Sequence, residues 1–449
     1  MASRRMKVVV LGGGVAGLSA AWHLAEAGAE VVLFERKDRL GGRASSFTDE
    51  KTGESIDNGP HLFMGLYRQT RKWFAKMGVQ DRIPFEPHLR IPALLSNGTR
   101  TVYGSGRMLP PLDFIMSLMA FCHSLDEKLR VLSLLKVLLP LPLKLDDITI
   151  AMWFDRMKIP RAVRQYSLEP LAVSILNQEP SEASAYPFAK SLRKTMMSGR
   201  NTPGIGLARV SLDELYVEPA AGFIRDRGGR IKCGVSGTGL LISGQGRVAG
   251  VALSDGTATE ADAVVSALPP WDFARLAGAY AGLADFADAV KEMTPCPALS
   301  VHLWLDTDML DDELASLPDS VFHWVYNVGH LMSTGKIGRQ HLCLLRLCAS
   351  HLMGKSSAEL VALALEDIKH VAGRSGRVKV LHSRVDWEQD ASVAFHPGSE
   401  RVRRRAIRPM PGLFLAGDWV RPGSAISFEN AVLSGVNAAR NVTALKSVK

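Results

Sequence analysis

The chain has 449 residues, of which 47% are hydrophobic, so it is long enough for two or three domains with a substantial core. Its formal charge of +9 is compatible with nucleic acid, an anionic membrane or an acidic ligand, and composition alone does not choose among them. Five scattered cysteines without a C-x-x-C pair argue against a disulfide framework or a zinc site and favour a reducing cytoplasm.

The first predicted element is a strand-helix-strand unit between Lys7 and Glu35. Val8–Leu11 is an apolar run typical of a buried parallel strand, and it ends in a G-x-G-x-x-G turn. The first glycine of such a turn permits a tight bend, the second admits a pyrophosphate, and the third lets helix and strand pack closely. We expect Glu35, at the end of the second strand, to accept hydrogen bonds from ribose hydroxyls. The dinucleotide-binding residues predicted in the turn are Gly12, Gly14, Ala16 and Gly17.

A second glycine turn, Gly41-Gly42, follows the unit and is flanked by arginines. This turn predicts a dinucleotide with a ribityl portion. Backbone N–H groups together with Arg36, Gly42 and Arg43 can position its diphosphate and ribityl portion.

These two motifs together resemble the FAD-binding amine oxidase and phytoene desaturase superfamily. The resemblance implies FAD as the cofactor, a Rossmann-like FAD-binding domain, and a loop, Asp57-Asn-Gly-Pro-His61, that lies against the flavin ring. The loop residues implied to contact the flavin are Gly59, Pro60 and His61.

The residues from about 86 to 205 are rich in leucine, valine and methionine, and two interpretations of this region stay open. The segment 112–145 is either buried core helices of a substrate-binding domain or a hydrophobic lip in one membrane leaflet. No uncharged run reaches about 18 residues, which argues against a transmembrane helix. Arg401, Arg403, Arg404, Arg405 and Arg408 form a basic cluster, either a solvated loop or a contact for lipid headgroups or a substrate diphosphate.

From Glu218 the pattern returns to short strands and turns. Strands are predicted at Arg230–Val235, Gly239–Ser243, Arg247–Leu253 and Asp262–Ala267, and later at Leu299–Leu305, near Trp324 and at Gln340–Leu347, with a helix at Ser357–Val371. The resemblance makes Val235 a further cofactor contact. Near the C-terminus an apolar strand ends in Gly417-Asp418, and a helix opening near Ser427 and Phe428 would direct its N-terminal dipole at the flavin.

We therefore predict an α/β chain (α+β overall) in which a discontinuous Rossmann-like domain carries an inserted substrate-binding domain of mixed sheet and helices. The FAD-binding domain comprises residues 1–85, 206–285 and 406–449. The substrate-binding domain comprises residues 86–205 and 286–405.

Several passages resemble the hydroxysqualene dehydroxylase family more closely than amine oxidases. They are the flavin-loop motif with Tyr67-Arg68, Leu176-Asn177 with Glu182–Ala185, Arg209–Ala220, Trp387-Glu388 and Ala416–Trp419. Pro60 and the step Phe428–Ala431 depart from that family's pattern. The resemblance implies reductive removal of an allylic hydroxyl from a C30 isoprenoid, giving squalene for hopanoid or sterol precursors, with His61 as the candidate acid. His61 bonded to the backbone in a structural role is the alternative.

The expected partners are a hydrophobic isoprenoid and the inner face of the cell membrane, with no nucleic acid and no metal. The expected location is the cytoplasm, peripheral to that membrane. A phytoene or carotenoid desaturase, which abstracts hydride from a polyene, is the nearest alternative. A flavin amine oxidase is a further one, although Trp324, Tyr326 and Trp419 are too scattered along the sequence to predict an aromatic cage.

Overall fold

The computed structural model describes residues 4–104, 109–199, 202, 204–333, 337–373, 377–404 and 410–445. Within these ranges the chain forms nineteen strands and fifteen α-helices. The strands are β1 (Lys7–Leu11), β2 (Glu30–Glu35), β3 (Ser46–Thr48), β4 (Ser55–Asp57), β5 (Leu62–Met64), β6 (Ile91–Leu94), β7 (Arg100–Tyr103), β8 (Ile205–Leu207), β9 (Arg230–Cys233), β10 (Gly237–Ile242), β11 (Val248–Leu253), β12 (Ala258–Glu260), β13 (Ala263–Ser266), β14 (Pro295–Leu305), β15 (Leu314–Ser316), β16 (Trp324–Asn327), β17 (Gln340–Leu347), β18 (Val380–Val393) and β19 (Leu413–Leu415).

The α-helices range from short turns to four-turn helices. They are α1 (Val15–Glu26), α2 (Arg68–Met77), α3 (Pro110–Met119), α4 (Leu125–Leu132), α5 (Ile150–Arg156), α6 (Arg161–Val163), α7 (Glu169–Leu176), α8 (Ala185–Met196), α9 (Glu218–Asp226), α10 (Pro270–Ala277), α11 (Ala281–Lys291), α12 (Val328–Leu331), α13 (Ser357–Ala372), α14 (Ser399–Arg403) and α15 (Phe428–Thr443).

A five-stranded parallel sheet in the order β19-β13-β1-β2-β9 forms the first core. Its central strands are buried on both faces because alternate side chains enter two different clusters. Val8 and Val10 of β1 pack with α1, α9 and α15, whereas Val9 and Leu11 pack with α10, α11 and the antiparallel β10-β11-β12 sheet. The sheet thus joins strands from near both ends and the middle of the chain. The mixed α/β class is confirmed.

Helix α1 confirms the predicted strand-helix-strand unit, but it is buried more completely than its pattern indicated. The predicted apolar face, Leu18 to Ala25, is buried, and so are Ser19 and Ala20 on the opposite side. The reason is α15, which packs along α1: a Cβ added to Gly435 would meet the Ala16 carbonyl oxygen at 2.5 Å. Such close contact between two helices requires small residues on both.

A seven-stranded sheet in the order β18-β14-β17-β16-β15-β6-β7 forms the second core, with α13 packed on one face. The predicted strands at Leu299–Leu305 and Gln340–Leu347 are confirmed, and so is the helix at Ser357–Val371, which extends to Ala372. The fourteen-residue strand β18 was not predicted, although it forms the long antiparallel pair with β14. The strands of this sheet come from the two segments assigned to the substrate-binding domain, whose boundaries stay a prediction.

Helices α3 to α8 and the turns between them form the third core, which includes segment 112–145. Ile115, Leu118 and Val131 are buried, as core helices require. On the other side the segment exposes large apolar side chains: Leu109, Leu112, Met116, Leu125, Leu129, Leu132, Leu139 and Leu143. Within the described residues, no helix is long and apolar enough to cross a bilayer.

The described arginines of the basic cluster near residue 401 differ in exposure, and Arg401 and Arg404 are exposed. Arg403 is fully buried: it donates to the Trp419 carbonyl at 2.8 Å, pairs with Glu400 at 3.3 Å and lies over the Phe395 ring. Arg401 pairs with Asp147 at 2.6 Å. Arg405 and Arg408 lie outside the described residues. All five cysteine thiols are free.

Candidate active site

The two glycine turns predicted to hold a dinucleotide lie against each other at the carboxyl ends of β1 and β2. Gly41 N–H donates to the Gly13 carbonyl at 2.9 Å, and Gly42, at φ +63°, would place a Cβ 3.0 Å from Gly14 Cα. Gly14 is the N-cap of α1, and no described side chain caps this end. The first N–H groups of α1 are therefore available to an anion.

Gly17 serves packing rather than ligand contact. A Cβ at this position would stand 1.8 Å from the Gly12 carbonyl oxygen, so only glycine lets α1 approach the turn. Gly12 itself has φ +98° and donates to the Phe34 carbonyl at 2.8 Å. These contacts match the roles expected of the first and third glycines.

The carboxylate of Glu35 accepts hydrogen bonds from two backbone amides of the protein itself. One carboxylate oxygen accepts from Gly13 N–H at 2.6 Å and the other from Lys37 N–H at 2.9 Å. The nearby Arg36 pairs with Asp272 at 3.2 Å. A carboxylate has about four acceptor positions, so Glu35 keeps acceptor capacity for ribose hydroxyls, and that contact stays a prediction.

Arg43 and Asp418, 375 residues apart, form an ion pair at 2.8 Å. Gly417 precedes Asp418 with φ +140°, and its N–H donates to the Ser434 hydroxyl at 2.8 Å, which joins the end of β19 to α15. Sequence reasoning placed both charged groups beside the cofactor but did not predict that they pair with each other. The pair closes the gap between the second glycine turn and the C-terminal segment.

The loop Asp57–His61 is fixed between the two sheets by Asn58. Its side-chain amide donates to the Arg43 carbonyl at 3.1 Å and to Glu388 on β18 at 3.2 Å. Its backbone carbonyl accepts from Ser300 Oγ of β14 at 3.0 Å. Gly59 and Pro60 follow along the cavity described below.

His61 lies on the cavity wall with one ring nitrogen engaged by the backbone. Nδ1 is 2.7 Å from the Gly59 carbonyl, and since a carbonyl only accepts, Nδ1 carries the proton. Nε2 is therefore the nitrogen through which the ring can exchange a proton with a ligand. Burial lowers the pKa of His61. The hydrogen bond to Gly59 raises this pKa, and the positive charge of Arg43 lowers it. The backbone-bonded alternative is thus observed, and it leaves the acid role undecided.

Asp57 supports the loop from behind rather than facing the cavity. It is buried, and one carboxylate oxygen accepts both from Ser46 Oγ at 2.7 Å and from Leu212 N–H at 3.0 Å. Burial raises the pKa of Asp57 to about 7, although those two hydrogen bonds lower it. Asp57 therefore serves the fold.

The N-terminus of α15 forms the far end of the cofactor side. Ser427 Oγ accepts from Asn430 N–H at 3.2 Å and caps the helix, and Phe428 packs its ring 5.2 Å from Phe63. The side chain of Asn430, one of the departures from the family pattern, donates back to the Ala425 carbonyl at 2.7 Å. This substitution is accommodated within the turn that precedes the helix.

One cavity of about 1600 Å³ runs between the two sheets and brings nearly all the predicted site residues together. Those that line it are Gly12, Gly14, Ala16, Glu35, Arg36, Gly42, Arg43, Gly59, Pro60, His61, Gly417, Asp418, Ser427 and Phe428. Gly17 lies behind its wall. Val235 does not line it either: its N–H donates to the Glu35 carbonyl at 2.9 Å, and Ser236–Thr238 line the cavity instead. Strand β9 ends at Cys233 and the chain then turns, and a cofactor contact of Val235 stays a prediction.

Away from the glycine turns the cavity wall is mostly apolar. Trp324 and Tyr326 are two residues apart on β16 and line it together, so the expectation that these aromatics are scattered is wrong. Other apolar wall residues come from four elements, β6, α3, α7 and β17, and from the loop before β6: Leu89, Ile91, Phe114, Leu118, Leu171, Ile175, Leu345 and Leu347. A typical pocket for one small molecule has about 300–1,000 Å³, so this cavity has room for a second ligand.

Sequence reasoning missed the acidic wall residues Glu388 and Asp390 of β18. The strand places a polar residue at every second position, His382, Arg384, Asp386, Glu388 and Asp390, and such alternation is the signal that could have found it. Within the described residues, no group of three or more His, Cys, Asp or Glu side chains is arranged to hold a metal ion.

The residues at the glycine-turn end fit a flavin dinucleotide. The start of helix α1 has no side-chain cap and suits a diphosphate, a Cβ at Gly42 would stand 3.0 Å from Gly14 Cα, and the N-terminus of α15 lines the same cavity.

Comparison with known proteins agrees with this geometry. The model of a family described as flavin containing amine oxidoreductase matches residues 15–443. The 15-cis-phytoene desaturase of Solanum lycopersicum is 24% identical over 96% of this chain and 77% of its own length. The hydroxysqualene dehydroxylase of Zymomonas mobilis is 25% identical over 96% of this chain and 97% of its own length. The solved structure of cyclohexylamine oxidase from Brevibacterium oxydans superposes with a TM-score of 0.74 at 15% identity, covering 99% of this chain and all of the other.

Proposed function

The chain belongs to the flavin-containing amine oxidoreductase family and is an FAD-dependent oxidoreductase, and we propose that within this family it reductively dehydroxylates hydroxysqualene to squalene. The desaturase and dehydroxylase relatives, each about a quarter identical over nearly the whole chain, support an isoprenoid substrate. The passages around the flavin loop, Arg209–Ala220 and Trp387-Glu388 favour the dehydroxylase.

The observation that carries the proposal is the shared cavity. One end presents the dinucleotide-binding turns, and the other is walled by leucines, isoleucines and aromatic rings from β6, α3, α7, β16 and β17. Burying an apolar chain there gains about 25 cal/mol per Å² of surface removed from water, so an isoprenoid would be held without charged contacts. The same apolar wall would exclude water from the reacting carbon.

In the proposed reaction the C–O bond of an allylic alcohol breaks, water leaves with one added proton, and a hydride closes the resulting carbocation. Bound FAD, once reduced, supplies that hydride. The chain supplies the proton and the surroundings. We propose His61 as the acid, because the Gly59 carbonyl fixes Nδ1–H and leaves Nε2 to carry the donated proton. The faces of Trp324 and Tyr326 are suited to stabilising the developing positive charge.

The test is an anaerobic incubation of the reduced holoenzyme with hydroxysqualene. The proposal expects squalene to form in step with reoxidation of the flavin, one molecule per flavin. The oxidised holoenzyme with phytoene and an electron acceptor is the matched comparison, since a desaturase would reduce its flavin there. Reoxidation without squalene, or desaturation of phytoene, would show that the reaction is assigned wrongly.

An amine oxidase is the second candidate, and the specific observation in its favour is the pairing of Trp324 and Tyr326 on one wall. Release of hydrogen peroxide on incubation with polyamines would support it. Against it stands the apolar remainder of that wall, which offers an alkylammonium little solvation.

We also propose that the protein acts at the inner face of the cell membrane, where a C30 hydrocarbon resides. The support is the row of exposed apolar side chains on residues 109–143, which adjoins cavity-lining residues of α3.

A further inference from the structure

We propose that the cavity contains a second polar site, which binds the phosphate group of a ligand with an apolar chain. The site consists of five basic residues that line the cavity away from the glycine turns, and we call them the cationic cluster: Arg68, Lys190, Arg193, Lys194 and Arg421. The proposed dehydroxylation has no use for such a site, because its substrate and product are uncharged. The inference therefore goes beyond the proposed function.

Three local structures bring the cluster together. Helix α8 presents Lys190, Arg193 and Lys194 at positions i, i+3 and i+4, and these residues lie on the face toward the cavity. Arg421 follows the single 3₁₀ turn Asp418–Val420, and Arg68 opens α2. Partial burial lowers the pKa of Lys194, the negative charge of Glu429 raises it, and the positive charges of Arg421 and Arg68 lower it further. The cluster members thus sense one another's charge.

No member of the cationic cluster forms an ion pair with a described acidic residue. The acid on the adjoining wall, Glu429, is already engaged, since it accepts from Gln69 N–H, Thr70 N–H and Thr70 Oγ1 at 2.8–3.1 Å and so caps α2. Glu400 pairs with Arg403 and Arg404 instead.

The donors of the cluster are also poorly used. Among the described residues, the ammonium of Lys190 donates to the Pro422 carbonyl at 3.4 Å and lies 5.9 Å from the centre of the Tyr186 ring. The Nε atoms of Arg193 and Arg421 are buried and have no hydrogen-bond partner among the described residues. Because an unmatched buried donor costs free energy, a bound anion would relieve the site.

The chemistry of the donors favours phosphate. Guanidinium groups match phosphate oxygens through two parallel hydrogen bonds, and lysine adds a compact charge. The cofactor's own diphosphate is accounted for by the start of α1, at the other end of the cavity. Beside the cluster the wall becomes apolar at Met196 and Leu118, and Met197 is 62% exposed. A ligand that fills both parts has a phosphate head and a hydrocarbon tail, as a phospholipid or an isoprenyl diphosphate has.

The experiment measures ligand binding to the FAD-saturated holoenzyme by calorimetry, without turnover. The soluble probes are geranyl diphosphate and geraniol, which share one chain and differ in the phosphates. The membrane probes are vesicles of pure phosphatidylcholine and vesicles with one-fifth phosphatidylglycerol. Each is measured with the wild type, the K194Q/R421Q variant and a control variant, K232Q/K355Q, whose lysines are exposed, do not line the cavity and lie outside segment 109–143.

We expect a preference of at least about 10-fold for geranyl diphosphate over geraniol, or for the anionic over the zwitterionic vesicles, lost in K194Q/R421Q and kept in the control. A preference for geranyl diphosphate over geraniol identifies a free isoprenyl diphosphate, whereas one confined to the anionic vesicles identifies a lipid headgroup. Equal binding of both members of each pair by the wild type, or an unchanged preference in the variant, overturns the site.

A second variant, K190Q/R193Q, covers the case in which K194Q/R421Q does not fold with its flavin. Because the readout is binding and not turnover, failure of this site and failure of the proposed reaction are seen separately.

Discussion

Gly17 shows how strictly the cofactor side is built at single residues, since any Cβ there would collide with the Gly12 carbonyl oxygen. We predict that Gly17→Ala forces α1 away from β1, costs about 1–3 kcal/mol of stability or more, and lowers FAD content. Gly222→Ala is the matched control, because Gly222 lies in α9 with open space around its Cβ position. Thermal unfolding and flavin absorbance per chain measure both effects. Full flavin occupancy in Gly17→Ala would contradict the packing described here.

The environment of His61 predicts the direction in which the reaction rate changes with pH. Since burial lowers its pKa below 6.5, the imidazole is mostly neutral at pH 7, and the protonated acid becomes more abundant as the pH falls. We therefore expect the single-turnover rate of dehydroxylation to rise from pH 8 toward pH 6. His61→Gln should lower the rate by about 10²–10⁴-fold and flatten the profile.

The control for this series is His370→Gln on the exposed side of α13, which should leave both rate and profile unchanged. A His61→Gln enzyme that keeps the wild-type pH profile would assign His61 a purely structural role.

Asp57 predicts a pH-dependent stability. Its folded-state pKa of about 7 lies above the ordinary 3.8, so the folded state binds more protons than the unfolded state between these values. Stability from this group is therefore lost as the pH rises from about 4 to 7. Asp57→Asn keeps the oxygen that accepts from Ser46 and Leu212 and removes the ionisation.

The measurement is the melting temperature of Asp57→Asn relative to wild type at several pH values. We expect the melting temperature of the variant to rise relative to that of the wild type from pH 4 to pH 7. Above pH 7 we expect the difference to stay constant. A difference that does not change with pH would show that Asp57 has an ordinary pKa.

The residues at which prediction succeeded are those whose role is local. The glycine turns, Glu35 and Ser427 follow from spacing along one segment. Whether Val235 or Ser236–Thr238 face the cavity depends on where a short strand ends, which a local sequence pattern does not define. The Arg43–Asp418 pair could not be predicted, because two residues 375 positions apart meet only after the parallel sheet has formed.

The exposed apolar faces of helices α3 and α4 lead to a prediction about membrane binding. Helices α3 and α4 bury one side, while Leu112, Met116 and Leu129 are 48%, 52% and 58% exposed. Side chains of this kind gain about 1.5 kcal/mol or more when they leave water, which corresponds to about tenfold in partitioning. We predict that the triple variant L112S/M116S/L129S binds phospholipid vesicles at least tenfold more weakly than wild type, while its stability is unchanged.

Co-sedimentation with vesicles and thermal unfolding measure the two quantities. Met353→Ser, which removes an equally exposed side chain elsewhere on the surface, is the control and should bind like wild type. Equal binding by the triple variant would remove segment 109–143 from any membrane contact.

Among the elements, the strands with continuous apolar runs were predicted, whereas the mixed pattern of β18 was not recognised as a strand. Strands β1, β2, β13 and β17 are buried on both faces and read directly from the sequence. Strand β18 carries a charged residue at every second position along most of its length, because that face meets the polar residues of β3, β4 and the cavity. Its partner β14 supplies the apolar pairing that no local pattern reveals.

At the scale of the whole molecule, the parallel sheet contains strands from both ends and the middle of the chain. The cavity lies between this sheet and the seven-stranded sheet. The FAD-dependent class could be predicted because its signals lie in separate short motifs in a fixed order. The shape of the cavity and the cationic cluster could not, since their residues come from many elements and share no local pattern.

The central claim is that flavin and a long isoprenoid occupy one continuous cavity. Titrating the holoenzyme with squalene, the proposed product, while recording the flavin absorption spectrum tests it most directly. We predict a saturable spectral shift that disappears when Leu345 and Leu347 on the cavity wall are both replaced by lysine. Squalene that binds without any change in the flavin spectrum would contradict a shared cavity.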